Sequence, residues 1–372
     1  PFRSAQSGYR RLFLRGIRGR HMRVAVVAGE TAYHDDSAAT DRLRTVAQAL
    51  AARGHDVTTF CAKWWGGSLS AFDAEGVTYR ALLDGVAAPT RRLLTRLPSE
   101  IRRFDPDVIH AAHADPFAVQ AASLAASLAR TPLLVDWYEA ASPMGRWRRG
   151  LWWLAARAPH AVVTPSRLVK TGVHQLGRPE RGTRVIPTGI DMDRIRAIDP
   201  APQGDIVYSR SLDDDANLES LLLGLAELRE RAWEAVVIGD GPARAAAEAQ
   251  AADLRIDDRV TFIGTQPLDR RLAIFKGAHV AVHTARRAPF AIDFLRALAC
   301  GCVGIAEYHA RSAATELIER RERGFRITTE AELARAIRDA GNHPRLAVDE
   351  DFASFDVDAV VDRYTEWYRN LA

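Results

Sequence analysis

Several residues able to hold phosphate or move protons stand directly after short apolar runs. Arg210 follows the run at 205–209, where a guanidinium suits a diphosphate through paired, charge-assisted hydrogen bonds. Gly239-Asp240-Gly241-Pro242 follows the run at 235–238 as a tight turn opening a helix, and its glycines let the backbone approach a phosphate or a base. After the run at 279–282 comes Ala288-Pro289-Phe290-Ala291-Ile292-Asp293-Phe294-Leu295-Arg296. A helix starting near residue 290 presents free N–H groups and a positive dipole end to an anion. His110 and His113 stand at and just beyond the run at 107–110 and can orient a hydroxyl or shuttle a proton.

Each of these has a plainer reading. A Gly-x-Gly-Pro turn occurs in proteins of every function, and Arg210 is one of 48 arginines in a chain with only three lysines. His110, at a strand end, equally suits a hydrogen bond to a neighbouring loop. Asp213-Asp214-Asp215 invites a magnesium or manganese site, but Asp214 or Asp215 as a helix cap is the better reading. Cys61, Cys300 and Cys302 are odd in number and scattered, which argues against a disulfide framework and for a reducing compartment. The spacing Cys300-Gly301-Cys302 is too tight for a zinc site.

The elements that must position these residues alternate. Strands are expected at 23–28, 55–60, 107–110, 133–136, 161–164 and 184–186, with helices near 38–52, 90–103, 116–129, 147–157 and 167–176. After a polar, Pro-containing break at 199–204 the rhythm restarts, with strands at 205–209, 235–238, 260–263, 279–282 and 302–305. Helices are expected there near 216–230, 243–254, 269–276, 291–299 and 312–319. Apolar strands separated by helices mean a parallel sheet covered on both faces. Ligands bind such sheets at the carboxyl ends of the strands. The division expected is a basic leader at 1–21, non-native or disordered, a first Rossmann-like domain at 22–198 and a second at 199–355. The last segment, 356–372, carries Val360, Tyr364, Trp367 and Tyr368 at helical spacing and is expected to pack back on the first domain.

The formal charge of +4 is concentrated at one end. Six arginines and no acid lie in residues 1–21, and without them 45 basic residues face 47 acidic ones. The body is therefore not a polyanion binder by bulk charge, and no nucleic-acid partner is expected. No apolar run is long enough to span a membrane, so a cytoplasmic location is expected. Residues 91–103 and 146–157 mix arginine with leucine or tryptophan, as an interfacial helix does, and suggest peripheral contact with the inner membrane face. An ordinary amphipathic helix packing those apolar residues inward is the alternative.

From about Met22 to Phe325 the chain resembles the family 4 glycosyltransferases of the GT-B fold. The stretches that carry this are Ala49-Leu50-Ala51-Ala52-Arg53-Gly54-His55-Asp56-Val57, Asp105-Pro106-Asp107-Val108-Ile109-His110, Val185-Ile186-Pro187-Thr188-Gly189-Ile190-Asp191, Val237-Ile238-Gly239-Asp240-Gly241-Pro242, Val260-Thr261-Phe262-Ile263-Gly264 and Arg296-Ala297-Leu298-Ala299-Cys300-Gly301. The resemblance implies two facing doubly wound α/β domains, a nucleotide-sugar donor held mainly by the second and a lipid-linked or glycan acceptor held by the first. It also implies hexosyl transfer with retention of configuration, and neither cofactor nor obligatory metal. Arg210 matches the family's phosphate-binding arginine, and His113 the histidine that contacts the donor sugar. Gly239, Gly241, Pro289, Phe290, Ala291, Asp293 and Arg296 are the expected donor-binding residues. The family's two glutamates seven residues apart are replaced by Ala288 and Arg296, and its lysine partner to the phosphate arginine by Ala216. Asp293 is a candidate substitute carboxylate. These departures keep two alternatives open: a catalytically silent member that binds nucleotide-sugar or partners an active transferase, and a related enzyme such as a nucleotide-sugar epimerase.

Overall fold

The computed structural model describes residues 21–35, 37–86, 88, 92–112, 116–139, 146–201 and 203–371. The expected leader at 1–21 therefore lies outside the described residues except for His21. In the first half the elements are β1 (Arg23–Val27), α1 (Ala38–Ala52), β2 (Asp56–Ala62), β3 (Ala71–Ala74), β4 (Val77–Leu83), α2 (Leu93–Phe104) and β5 (Val108–Ala112). There follow α3 (Pro116–Ala129), β6 (Leu133–Asp136), α4 (Arg146–Arg157), β7 (Ala161–Thr164), α5 (Arg167–Gln175), β8 (Thr183–Val185) and α6 (Met192–Ala197). The second half holds β9 (Ile206–Ser209), α7 (Leu218–Ala226), β10 (Ala235–Ile238), α8 (Arg244–Asp253), β11 (Val260–Phe262), α9 (Leu268–Gly277), β12 (Val280–His283), β13 (Arg287–Ala288) and α10 (Ile292–Ala299). It closes with β14 (Val303–Glu307), β15 (Arg311–Ser312), α11 (Ala314–Ile318), β16 (Gly324–Ile327), α12 (Glu330–Ala340) and α13 (Val357–Leu371).

One sheet has eight strands in the order β3-β4-β2-β1-β5-β6-β7-β8, and the other has six in the order β11-β10-β9-β12-β14-β16. β1 pairs in parallel with β2 and β5, and β9 in parallel with β10 and β12. Val24, Ala25 and Val26 are buried on both faces of β1, as are Val236 and Val237 of β10, which is why these strands read as unbroken apolar runs. Sequence periodicity does not anticipate the β3–β4 hairpin. β3 is exposed in its middle while β4 buries Val77, Tyr79, Leu82 and Leu83, and the two are joined by Glu75 and Gly76, both at positive φ (51° and 80°), as a two-residue hairpin turn requires. β16 and α12 are likewise unanticipated.

By Cα packing the chain forms two compact units, one of residues 1–136, 145–162 and 365–372, the other of 137–144 and 163–364. In each sheet the strand order reverses beside one strand, next to β1 in the first and next to β9 in the second. Such a reversal opens a crevice at the carboxyl ends of the two strands concerned. α1 starts at a capping box in which Ser37 accepts from Thr40 N–H, and it packs Leu43, Val46, Ala47 and Leu50 inward. Gly301 ends α10 at φ 94°, the left-handed position expected for it. The cap expected from Asp214 or Asp215 is not formed. α7 begins after Asn217, itself at φ 53° and making no side-chain cap.

Candidate functional site

In the second unit, polar side chains gather where β9, β12 and β14 end. Ser209 Oγ donates to Asp293 (2.8 Å). The next residue, Arg210, donates through Nη2 to both carboxylate oxygens of Asp213 (2.8 and 3.0 Å) and through Nη1 to the Arg287 carbonyl (3.3 Å). At the end of β12, Thr284 donates to the carbonyls of Asn217 (2.8 Å) and Ala216 (3.2 Å), while Asn217 Nδ2 donates to Glu307 (3.1 Å) at the end of β14. His309 Nε2 lies 3.1 Å from the other oxygen of Glu307. His283 is buried, and burial, with Arg210 and His309 nearby, pushes its pKa down to about 3. It is a neutral imidazole in this site.

The backbone after β9 is laced to that after β10. Arg210 N–H donates to the Ile238 carbonyl (3.1 Å) and Leu212 N–H to the Asp240 carbonyl (2.9 Å). Gly239 and Gly241 have φ of 133° and 152°, and a Cβ at either would sit 1.8 Å from the Arg210 carbonyl oxygen or 2.4 Å from that of Leu212. Only glycine permits this approach. The two glycines read from the sequence therefore carry Arg210 into place.

α10 begins at Ala291, which makes no side-chain cap, and Phe290 and Ala291 are buried. Pro289 offers its carbonyl to Ser166 Oγ (2.7 Å). Asp293 is encircled by Ser209, Arg271 (2.5 Å) and Arg296 (2.9 Å). Burial raises its pKa, but Arg296, Arg271 and the Ser209 hydroxyl outweigh burial and hold it below the usual carboxylate range. Asp293 and Arg296, read separately from the sequence as donor contacts, are thus bound to each other. Ala288 forms part of β13 and pairs with Ser312, and the Ala216 carbonyl accepts from Tyr208 OH (2.6 Å). Asp213 is engaged by Arg210, and Asp215 lies 3.7 Å from Arg311. Among the described residues no three His, Cys, Asp or Glu side chains gather as a metal site.

In the first unit His113 lies outside the described residues. His110 is fully buried, with Nδ1 2.6 Å from Tyr368 OH and Nε2 3.7 Å from Asp136. Asp136 takes Nε of buried Arg42 on both oxygens (3.2 and 2.9 Å). Sequence reading missed Arg42 and Asp136, and likewise His283, Thr284, Asn217 and Glu307 in the second unit. A signal existed for most of them. Arg42 falls on the stripe shared with Val46 and Leu50, and His283-Thr284 and Glu307 stand at strand ends, as Arg210 does.

The two basic stretches diverge. α2 turns Leu93, Leu97, Ile101 and Phe104 inward, so its apolar residues belong to the core. α4 buries Trp152 but exposes Trp153 (45%) and Leu154 (49%), with Arg157 over the Trp153 ring at 4.9 Å. Phe117, Leu124 and Leu128 of the neighbouring α3 are exposed too. No helix among the described residues is long and apolar enough to cross a membrane.

The Glycosyltransferase Family 4 profile matches residues 40–194, and the Glycosyl transferases group 1 profile matches residues 192–350. No curated protein matches the chain in sequence. Among solved structures, the sucrose-phosphate synthase of Thermosynechococcus elongatus superposes with a TM-score of 0.75 at 18% identity, over 95% of this chain and 99% of that one. Anabaena Alr3699/HepE, in a complex with UDP, gives 0.74 at 19% identity, over 94% and 100%. A glycosyltransferase from Rickettsia africae gives 0.76 at 14% identity, over 95% and 99%.

Proposed function

Because the chain belongs to the family 4 type of glycosyltransferases with the GT-B fold, we propose that it moves a hexosyl group from a nucleotide-sugar to a lipid-linked or glycan acceptor, with retention of configuration. The observation that carries this is Arg210, set at the strand-order reversal by the tight glycine loop of Gly239 and Gly241. Arg210 and the free N–H groups at the start of α10 meet the charge of the departing diphosphate, which supplies most of the catalysis and requires no obligatory metal. Support comes from the Anabaena protein, solved with UDP and with UDP-glucose. The exposed apolar residues of α3 and α4, flanked by arginines, suit an anionic membrane surface and a lipid-linked acceptor.

A second reading, a silent relative that binds donor without turnover, is favoured by one specific pairing. Asp213 already neutralises Arg210 through both oxygens, while Ala288 and Ala216 stand where the resemblance implies a carboxylate and a lysine. Calorimetric titration with UDP, followed by turnover with UDP-glucose, separates the two. Arg210→Ala is expected to weaken UDP binding at least tenfold. Asp213→Asn, which frees the guanidinium, is expected to tighten it by about tenfold, or ~1.4 kcal/mol. Unchanged affinity in both variants refutes the diphosphate role of Arg210. Binding with no transfer to any acceptor selects the silent relative.

A further inference from the structure

Adjoining the strand-end site, with which it shares His309, the second unit contains a cavity of about 560 Å³ walled by α5, the segment after β14, α11 and β16. That volume suits a small molecule. Its lining opposes four arginines, Arg167, Arg320, Arg321 and Arg326, to two glutamates, Glu316 and Glu319. Both glutamates are committed. Glu316 accepts the backbone N–H groups of Arg167 (2.9 Å) and Leu168 (2.8 Å) in the first turn of α5, and both glutamates pair with the Arg167 side chain. Arg321 rests on the Phe352 ring at 3.8 Å, near Asp351. Arg320 and Arg326 are exposed and form no ion pair within 4.0 Å among the described residues, though Arg320 acts on Glu319 at longer range, and Arg326 is held over the Tyr308 ring at 4.1 Å. The Ser312 hydroxyl, 6% exposed and in the wall of the cavity, has no hydrogen-bond partner. Ser123 and Ser220 also have unpaired buried hydroxyls, but that of Ser312 belongs to a residue lining a cavity, where a ligand can complete it.

We propose that this cavity binds a phosphorylated small molecule, with the phosphate between Arg320 and Arg326 and the Ser312 hydroxyl donating to it, and that its occupancy regulates the strand-end site. Guanidinium groups recognise phosphate through paired hydrogen bonds. The coupling has a physical route. Ser312 lies on β15, which pairs with β13 at Arg287–Ala288, and Ser166 at the start of α5 bonds the Pro289 carbonyl. Two walls of the cavity thus hold the segment that leads into α10. The regulatory half rests on reading that segment as part of the donor site; the binding half does not.

Calorimetric titration of the full chain with glucose 6-phosphate and with inorganic phosphate tests this, alongside UDP titration. The Arg320→Gln/Arg326→Gln variant is expected to bind glucose 6-phosphate at least tenfold more weakly, with unliganded Tm and UDP affinity unchanged. Arg210→Ala is expected to bind glucose 6-phosphate as the wild type does, and saturating glucose 6-phosphate to shift the wild-type UDP affinity. Equal affinity for inorganic phosphate also supports the site, with the phosphate itself as the recognised group. No binding of either probe, or loss in Arg210→Ala with retention in the double variant, overturns it. Glucose 6-phosphate binding without UDP binding leaves the cavity assigned and refutes the donor-site reading instead.

Discussion

His283 shows what burial does to one side chain at the heart of the site. Its pKa is pushed down to about 3 by burial, with Arg210 and His309 adding to the effect, from about 6.5 in an unfolded chain. Between those values the unfolded chain binds a proton that the folded chain refuses, so stability falls as pH is lowered through that window. His279 and His55, also depressed chiefly by burial, act in the same direction. Replacing His283 by Gln is expected to remove up to about 1.4 kcal/mol per pH unit of this slope. Urea unfolding at pH 7, 6 and 5 measures it, and parallel slopes in variant and wild type would sink the argument. Arg210 and the two glycines were legible because their types and places after strands are demanded by the chemistry. His283 was not, because a histidine closing an apolar strand looks like any core residue until its neighbours are known. The mutual bond of Asp293 and Arg296 was half-legible: the three-residue spacing was visible, but not that Arg271 and Ser209 complete the ring.

At the scale of the element, apolar spacing proved a better guide than composition. α2 and α4 share the same basic, leucine-containing character, yet the four-residue spacing of Leu93, Leu97 and Ile101 turns α2 inward, whereas adjacent Trp152 and Trp153 must point in different directions. The surface proposed to meet lipid is therefore α4 with α3, a helix without a single charged residue that exposes Leu124 (42%) and Leu128 (54%). Co-sedimentation with phosphatidylglycerol vesicles is expected to fall about tenfold or more for Trp153→Ser/Leu154→Ser, since each ring or chain withdrawn from the interface forfeits apolar burial. Equal sedimentation of variant and wild type would exclude this face. The β3–β4 hairpin escaped the sequence because β3 is only four residues long, too short to carry a period, and its turn, Glu75-Gly76, lacks the usual asparagine or aspartate, although β4 alternates buried Val77 and Tyr79 with Thr78 and Arg80.

At the scale of the molecule, the double alternation of strands and helices was readable because parallel strands buried on both faces leave unbroken apolar runs. The apolar spacing of 356–372 led to the expectation that this segment returns to the first domain, and by Cα packing residues 365–372 group with the first unit after the second has been traversed. Tyr368 is fully buried there and bonds His110, beside the buried Arg42–Asp136 pair. Removing residues 365–372 leaves that polar cluster without its cover. Amide hydrogen exchange is expected to quicken in β5 and β6 while β9, β10 and β12 keep their protection. Uniformly unchanged exchange would show the contact to be dispensable. The same contact sets an order of events at the ribosome. Synthesis runs from the N-terminal side onward at about 5–20 residues per second, and the residues that close the first unit, 365–372, are made only after those of the second. The second unit has its sequence in hand once residue 364 is made, so of the two units the one begun first is the one completed second.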